Sequence, residues 1–248
     1  MARSPTVLCV VVALASSAAS RAHAETCPGP ADAPLLSSID SEARLDFLAH
    51  AFDREVHDID AWSWTWGSIY TAGAIAQGVA LSVTSDRGAR TDLTVGVIST
   101  SVGAASLLGL PLKLTLPLRA ARRDWGGPDR CALLANAERT LASVASDQAL
   151  ANGILAHVGN VAVNAGIALI LGLGYGRWQS AAISGGAGVA IGEANAFSQP
   201  HHLRDVQARY RAGQLGGLTA EAAGQGTAWW IVPVISRQHA GVALVLAW

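Results

Sequence analysis

Five ionisable residues fall on one strip of a single helical stretch: Asp46, His50, Asp53, His57 and Asp60, at i, i+4, i+7, i+11 and i+14. At 100° per residue they occupy a sector of about 80°. Imidazole and carboxylate at i, i+4 spacing can chelate Zn²⁺ or a similar divalent cation, so His50, Asp53 and His57 are the candidate metal ligands. The competing reading is a solvated face. Leu45, Leu48, Phe52, Val56 and Ile59 form an apolar stripe on the same stretch, and that periodicity requires a polar opposite side. Beyond that divalent cation, the sequence calls for no cofactor.

A second set of polar groups lies inside apolar sequence. His157, Asn160 and Asn164 sit at i, i+3 and i+7, and Glu193 lies in the next apolar stretch, followed by Asn195. Ionisable groups inside a membrane span are costly and face a bundle interior or a water-filled cavity. Counted from a turn near residue 177, His157 is 20 residues away on one side and Glu193 is 16 away on the other, so antiparallel helices would bring them to similar depth. His157, Asn160 and Glu193 are therefore the candidate catalytic or transport residues. The alternative is an interhelical hydrogen bond that fixes register.

The search for a nucleophile returns little. Ala182-Ile183-Ser184-Gly185 resembles the Gly-x-Ser-Gly of rhomboid proteases, and His157-Val158-Gly159-Asn160 resembles their His/Asn helix. The first glycine is missing, no later span carries a catalytic histidine, and there are too few spans. Gly172-Leu173-Gly174-Tyr175-Gly176 lacks the strand, helix and following acid of a nucleotide loop, and reads as a bend.

The elements that must position these residues are apolar. Between Gln148 and Arg177 there is no Asp, Glu, Lys or Arg, a length sufficient for a bilayer core of about 30 Å, which takes about 20 helical residues. The following stretch places Ser180, Ser184, Gly188, Gly192 and Ala196 at every fourth position. Such a stripe lets another backbone approach closely, which makes Ser184, Gly188 and Gly192 candidate helix-packing residues. Upstream, Asp40 is a candidate N-cap for an amphipathic helix over 38–61. Trp62, Trp64, Trp66 and Tyr70 then resemble an interfacial aromatic belt ahead of a run to Thr84, and a turn bearing Arg87 and Arg90 leads into a second run, Leu93 to Leu110. Pro111 and Pro117, with leucines alternating at 112, 114, 116 and 118, predict that the chain leaves the helix there and runs extended. Leu134, Ala137, Leu141 and Val144 mark a further amphipathic helix. Each half thus carries an amphipathic helix, an apolar helix, an arginine-bearing turn, a small-residue helix and a proline. Gly67 to Pro111 spans 44 residues and Gly159 to Pro200 spans 41, a repeat of pattern with an even number of spans in each unit.

The chain of 248 residues is 51% hydrophobic and 14% charged, against about 25% charged for ordinary soluble domains. Arg3, the apolar run Val7–Ala15 and Ala22-His23-Ala24 predict a cleaved secretory leader over 1–24. Its removal takes Arg3 and Arg21 with it, leaving 15 basic against 18 acidic residues, a charge of −3. That excludes a strongly basic nucleic-acid surface. Two cysteines remain, Cys27 and Cys131, each just ahead of an amphipathic stretch; outside the cytoplasm they can pair as a disulfide, and two free thiols are the alternative.

After Pro200, residues 201–213 predict a short helix with Leu203, Val206 and Tyr210 on one side and arginines on the other, either interfacial on anionic headgroups or a solvated surface helix. Ala228–Ile235 and Ala240–Trp248 around Ser236–His239 predict a β-hairpin, with Pro233 confining its first strand to an edge. Alternation ending on Trp248 also fits the closing strand of an outer-membrane barrel, but 62–84 and 149–175 do not alternate as barrel strands must. Leader cleavage puts the hairpin tips in the cytoplasm. Those tips hold only Arg87, Arg90 and Arg177, contrary to the positive-inside rule.

His157-x-x-Asn160, Gly174-Tyr175-Gly176-x-Trp178, Gly192-Glu193, Gln199-Pro200 and Tyr210-Arg211-x-Gly213 are together similar to a group of exported bacterial multi-helix membrane proteins with no assigned function. The resemblance covers residues 150–213 and implies the architecture alone. The expected fold is mainly α and membrane-integral, with four apolar helices in two repeated hairpins, each preceded by an amphipathic helix. Its divisions are a leader (1–24), linker and amphipathic helix (25–61), hairpin 1 (62–118), an extramembrane linker helix (119–148), hairpin 2 (149–199), a short basic amphipathic helix (200–216) and a loop with a β-hairpin tail (217–248). The expected role is a structural or interaction component of the cell envelope, in the inner membrane or, alternatively, the outer. Its partners would be the lipid bilayer and a second copy or another envelope protein. The competing function is a membrane-embedded enzyme or transport element.

Overall fold

A computed structural model describes residues 25–216 and the backbone of 228–235 and 240–247; the expected leader, the Gly-rich loop and the turn at Ser236–His239 lie outside the described residues. The described chain is mainly helical. Pro34–Ser38 forms a 3-10 turn, followed by α1 (Ser41–Val83), α2 (Arg87–Arg123), α3 (Arg130–Ala151), α4 (Ile154–Leu169), α5 (Trp178–Phe197) and α6 (Leu203–Arg211). The backbone of β1 (Ala228–Ile235) and β2 (Ala240–Ala247) pairs antiparallel, with Ala228 opposite Ala247. No other strand occurs among the described residues, so nothing in them closes a barrel of the kind weighed above.

The helices begin where short polar side chains can take up free backbone amides. Asp40, Asp86 and Asp129 accept from the amides of Ala43, Ala89 and Ala132 at 3.2, 2.7 and 2.9 Å, each satisfying one donor of a first turn. The expected amphipathic helix and the apolar run after it are one element. No Gly-Pro signal separates residue 61 from residue 62, and α1 continues for 43 residues, about 64 Å at 1.5 Å per residue.

Two assemblies share these long helices. One is a head with a dry core, built by the first half of α1, the second half of α2, α3 and α6. Leu45, Leu48, Phe52, Leu114, Leu118, Leu134, Leu141 and Leu203 are its fully buried aliphatic and aromatic centre. Cys27 and Cys131 are joined by a disulfide, Cα to Cα 5.3 Å, which ties the N-terminal segment to α3.

The head corrects two expectations. The chain does not leave the helix at Pro111: α2 runs through both prolines to Arg123. Alternating leucines are also i, i+4 pairs, and here Leu114 and Leu118 are buried while Leu112 and Leu116 are half exposed. Burial against α1 outweighs the two backbone bonds the prolines forgo. Nor is α6 free to lie on headgroups with its apolar side, because Leu203, Val206 and Tyr210 are buried in the head and Tyr210 stacks on Phe47, ring centroids 5.7 Å apart.

The other assembly is an apolar arm. The rest of α1 packs against the first half of α2, and α4 against α5. The arm starts where α3 ends, at a break over Asn152-Gly153, so residues 149–151 belong to α3 and not to the apolar helix expected to begin there. Among the described residues two helical stretches are long and apolar enough to cross a membrane, Arg87–Gly126 and Arg130–Gly174; only 6% of the apolar window in each is buried.

Both ends of the arm are tied. At the tip, Arg177 donates two bonds to the Asp92 carboxylate, one of them at 2.7 Å, and Ser180 adds a third at 2.8 Å. At the head end, the indole N–H of Trp66 donates to Ser198 Oγ at 2.9 Å, and that of Trp62 reaches Asn195 O and Ser198 Oγ at 3.3 Å. The aromatic belt therefore splits. Trp62 and Trp66 are buried between the helix pairs, and only Trp64 faces outward, 78% exposed.

Candidate functional site in the second helix pair

Helix α4 presents His157, Asn160 and Asn164 from three successive turns, and α5 runs back beside it. Glu193 receives all its contacts from that face. Its Oε2 meets His157 Nδ1 at 2.5 Å and its Oε1 accepts from Asn160 Nδ2 at 2.8 Å. Asn160 Nδ2 also reaches Val189 O at 3.1 Å, and Asn164 Nδ2 donates to Asn160 Oδ1 at 2.8 Å. The chain is thus His157–Glu193–Asn160–Asn164, with the imidazole laid on Phe197, centroids 4.9 Å apart.

Glycines make room for it. A methyl group at Gly188 would stand 1.9 Å from Asn164 Oδ1, and one at Gly192 would stand 2.0 Å from Asn160 Oδ1. At either position an added Cβ would force the asparagine amide to shift. Gly185 continues the same seam against Ala168, at 2.9 Å. The stripe that meets α4 is therefore Ala181, Gly185, Gly188 and Gly192, whereas Ser184 is on the exposed side. The every-fourth-residue pattern picked the wrong turn at Ser184 because helical neighbours alternate between i+3 and i+4. The Gly188 and Gly192 contacts lie inside one helix pair, against Asn164 and Asn160 of α4.

Chemically the cluster is a carboxylate–imidazole pair with an amide relay. With Glu193 ionised, Nδ1–H donates to it and Nε2 carries the lone pair; Nε2 has no hydrogen-bond partner among the described residues. The side chains of His157 and Glu193 keep 29% and 24% of their exposure.

The charged strip of α1 is occupied differently. Asp53 takes two bonds from Arg122, at 2.8 and 2.7 Å, and Asp60 is paired with Arg119 at 2.5 Å. The Arg122 bonds hold the Asp53 carboxyl below its ordinary range against a smaller upward push from burial. His50 Nδ1 contacts Asp46 O, one turn back, at 2.8 Å. The structure does not bring His50, Asp53 and His57 together as a ligand set: among the described residues no three His, Cys, Asp or Glu side chains converge on one point. The partners are two guanidinium groups of α2, those of Arg119 and Arg122, which lie in the stretch read as the extramembrane linker helix.

Two buried polar nodes escaped the sequence reading. Arg44 is fully buried in the head; it donates to Tyr210 Oη at 3.1 Å, Cys27 O at 2.8 Å and Leu36 O at 3.1 Å, and pairs with Glu138. Burial raises the Tyr210 hydroxyl well above the usual phenol range. The signal was a guanidinium on the apolar stripe beside Leu45 and Leu48. Glu55, 1% exposed, accepts from Gln148 Nε2, and burial pushes its carboxyl up to about 7 despite that bond. No family model matches this chain, and neither a curated relative nor a solved structure of similar fold was found.

Proposed function

We propose that this chain is an exported integral membrane protein of the cell envelope, with four helical spans carrying a disulfide-linked helical head, and that its role is structural or interactive. The observation that carries this reading is the contrast between the assemblies. The head buries a continuous aliphatic and aromatic core. The arm leaves Ile75, Val79, Ile98, Val102, Leu155, Val163, Ile183 and others half to three-quarters exposed. The core helix of a soluble protein would be mostly covered; lipid is the solvent that accepts these surfaces. Residues 62–83 and α5, diluted by Gly, Ala and Ser, fall short of the apolar measure met by α2 and by the stretch containing α4, but have spanning length and are tied to them at both ends.

The leader expectation places the head on the export side and the tips at 84–86 and 175–177 on the cytoplasmic side. Separating inner and outer membranes from cells that carry reporter fusions at residues 85 and 176 tests it. Tip reporters active only in the cytoplasm, with the protein in the inner-membrane fraction, are expected; a reporter exported at either tip contradicts the topology.

The open Nε2 of His157 favours one second reading, a proton-accepting element within the membrane that uses His157 and Glu193 with Asn160 as relay. Loss of a cellular phenotype in His157→Ala that His157→Gln does not restore would support it over a purely structural bond.

A further inference from the structure

The geometry points to a phospholipid site on the outer face of the α1–α2 pair, selective for an aminoethyl-phosphate headgroup as in phosphatidylethanolamine; this rests on the membrane reading above. A groove of about 770 Å³ runs between these helices, within the range of about 300–1,000 Å³ that small-molecule sites occupy. Gly67, Thr71 and Ile75 line one wall and Ala104, Ala105 and Pro111 the other. The walls are low because the residues are small: a Cβ added at Gly67 would meet nothing within 4 Å.

Its two ends differ in chemistry. Asp60 and Ser63 lie at the head end, and Trp64 stands exposed beside them, at the depth where indoles mark the lipid–water boundary. From Gly67 to Ile75 the lining carries no charge, over about 12 Å at 1.5 Å per residue, close to the roughly 15 Å of one leaflet's hydrocarbon. Asp60 is paired with Arg119, and their side chains keep 43% and 47% exposure. Both therefore retain unused hydrogen-bonding positions toward water. An adjacent carboxylate and guanidinium complement a zwitterion. Arg119 takes the phosphate, and Asp60 accepts from the primary ammonium, which a trimethylammonium cannot supply. An anionic glycerol headgroup meets Asp60 as a like charge. One acyl chain then lies along the groove.

The test is native mass spectrometry of the full chain purified in mild detergent, titrated separately with phosphatidylethanolamine, phosphatidylcholine and phosphatidylglycerol of identical acyl chains. One equivalent of the ethanolamine lipid is expected to be retained about tenfold more tightly than either other lipid. Thr71→Phe, which fills the groove from its exposed side, and Asp60→Asn should each weaken that retention about tenfold, with Thr71→Phe leaving the melting temperature of the head unchanged. Equal retention of the three lipids, preference for the glycerol lipid, or ethanolamine-lipid binding indifferent to Thr71→Phe would overturn the site. A chain that needs detergent yet binds the lipids alike keeps the membrane reading and loses this inference; one that stays monodisperse without detergent loses both.

Discussion

Glu55 shows how a single side chain can tie stability to pH. Its carboxyl is raised by burial from 4.5 to about 7 in the folded protein, so the folded state holds a proton that the unfolded chain releases. Stability from this group is complete below about pH 4.5 and declines as pH rises to about 7, by up to about 3 kcal/mol, then levels off. Thermal melts of the detergent-solubilised protein should show a lower transition at pH 8 than at pH 5, and Glu55→Gln should remove most of that difference; an unchanged slope in the variant would place the titration elsewhere. At Gly192 the constraint is steric. Gly192→Ala drives a methyl onto Asn160 Oδ1 and should cost about 1–3 kcal/mol, as overpacking does. Asn160→Ala alone should also destabilise, because Glu193 loses a donor. If the two residues act through one contact, the double variant will be less unstable than the sum of the singles, and strict additivity in a melting series would show that they do not. His157, Asn160 and Glu193 were legible in the sequence because ionisable and amide side chains inside apolar runs are rare. Arg44 and Glu55 were not singled out, because each sits on an amphipathic helix where a charge is ordinary; the place of Arg44 beside Leu45 and Leu48 was its one local sign, and only tertiary packing reveals the burial of Glu55.

At the level of elements, the sequence marked a helical stretch within each of the six α-helices but misjudged where several begin and end, and it read the 3-10 turn Pro34–Ser38 as linker. Residues 41–61 and 62–83 differ in composition, yet backbone continuity is indifferent to composition, and α1 runs through both without a break. The prolines of α2 were weighed as breakers from local chemistry alone; long-range contacts of Leu114 and Leu118 with the head decided the outcome. Period-2 and period-4 patterns share positions, so four alternating leucines could not separate strand from helix by themselves. The cysteine pair was readable as a possibility from compartment and count, and its partners were forced once only Cys27 and Cys131 remained. The bridge closes a separation of 104 residues, so Cys27→Ser should destabilise the head by about 2–4 kcal/mol. Limited proteolysis under non-reducing conditions would register this as early cleavage near residues 25–40; a cleavage rate equal to that of the unmodified protein would mean that α1 and α3 hold that segment unaided.

On the membrane reading proposed above, the whole molecule is a junction between two solvents. Its head is closed by aliphatic burial, the Arg44 node and a disulfide, and its arm is closed by polar ties at both ends, with the sides left apolar. This division explains why a low charge fraction coexists with six of the ten described ion pairs joining arginine or lysine to carboxylates across the head: Arg44–Glu138, Lys113–Asp147, Arg119–Asp60, Arg122–Asp53, Arg130–Glu42 and Arg211–Asp32. The same reading accounts for glycine and asparagine lining the contact between α4 and α5: in lipid there would be no hydrophobic drive, and close packing with hydrogen bonds would have to hold the pair. The most direct measurement is sedimentation velocity on residues 25–248, prepared in detergent and then transferred to detergent-free buffer or to lipid nanodiscs. A single monodisperse species in nanodiscs with aggregation in plain buffer is the expected result; a single sharp boundary in plain buffer, with the helical content and the melting transition preserved, would contradict it.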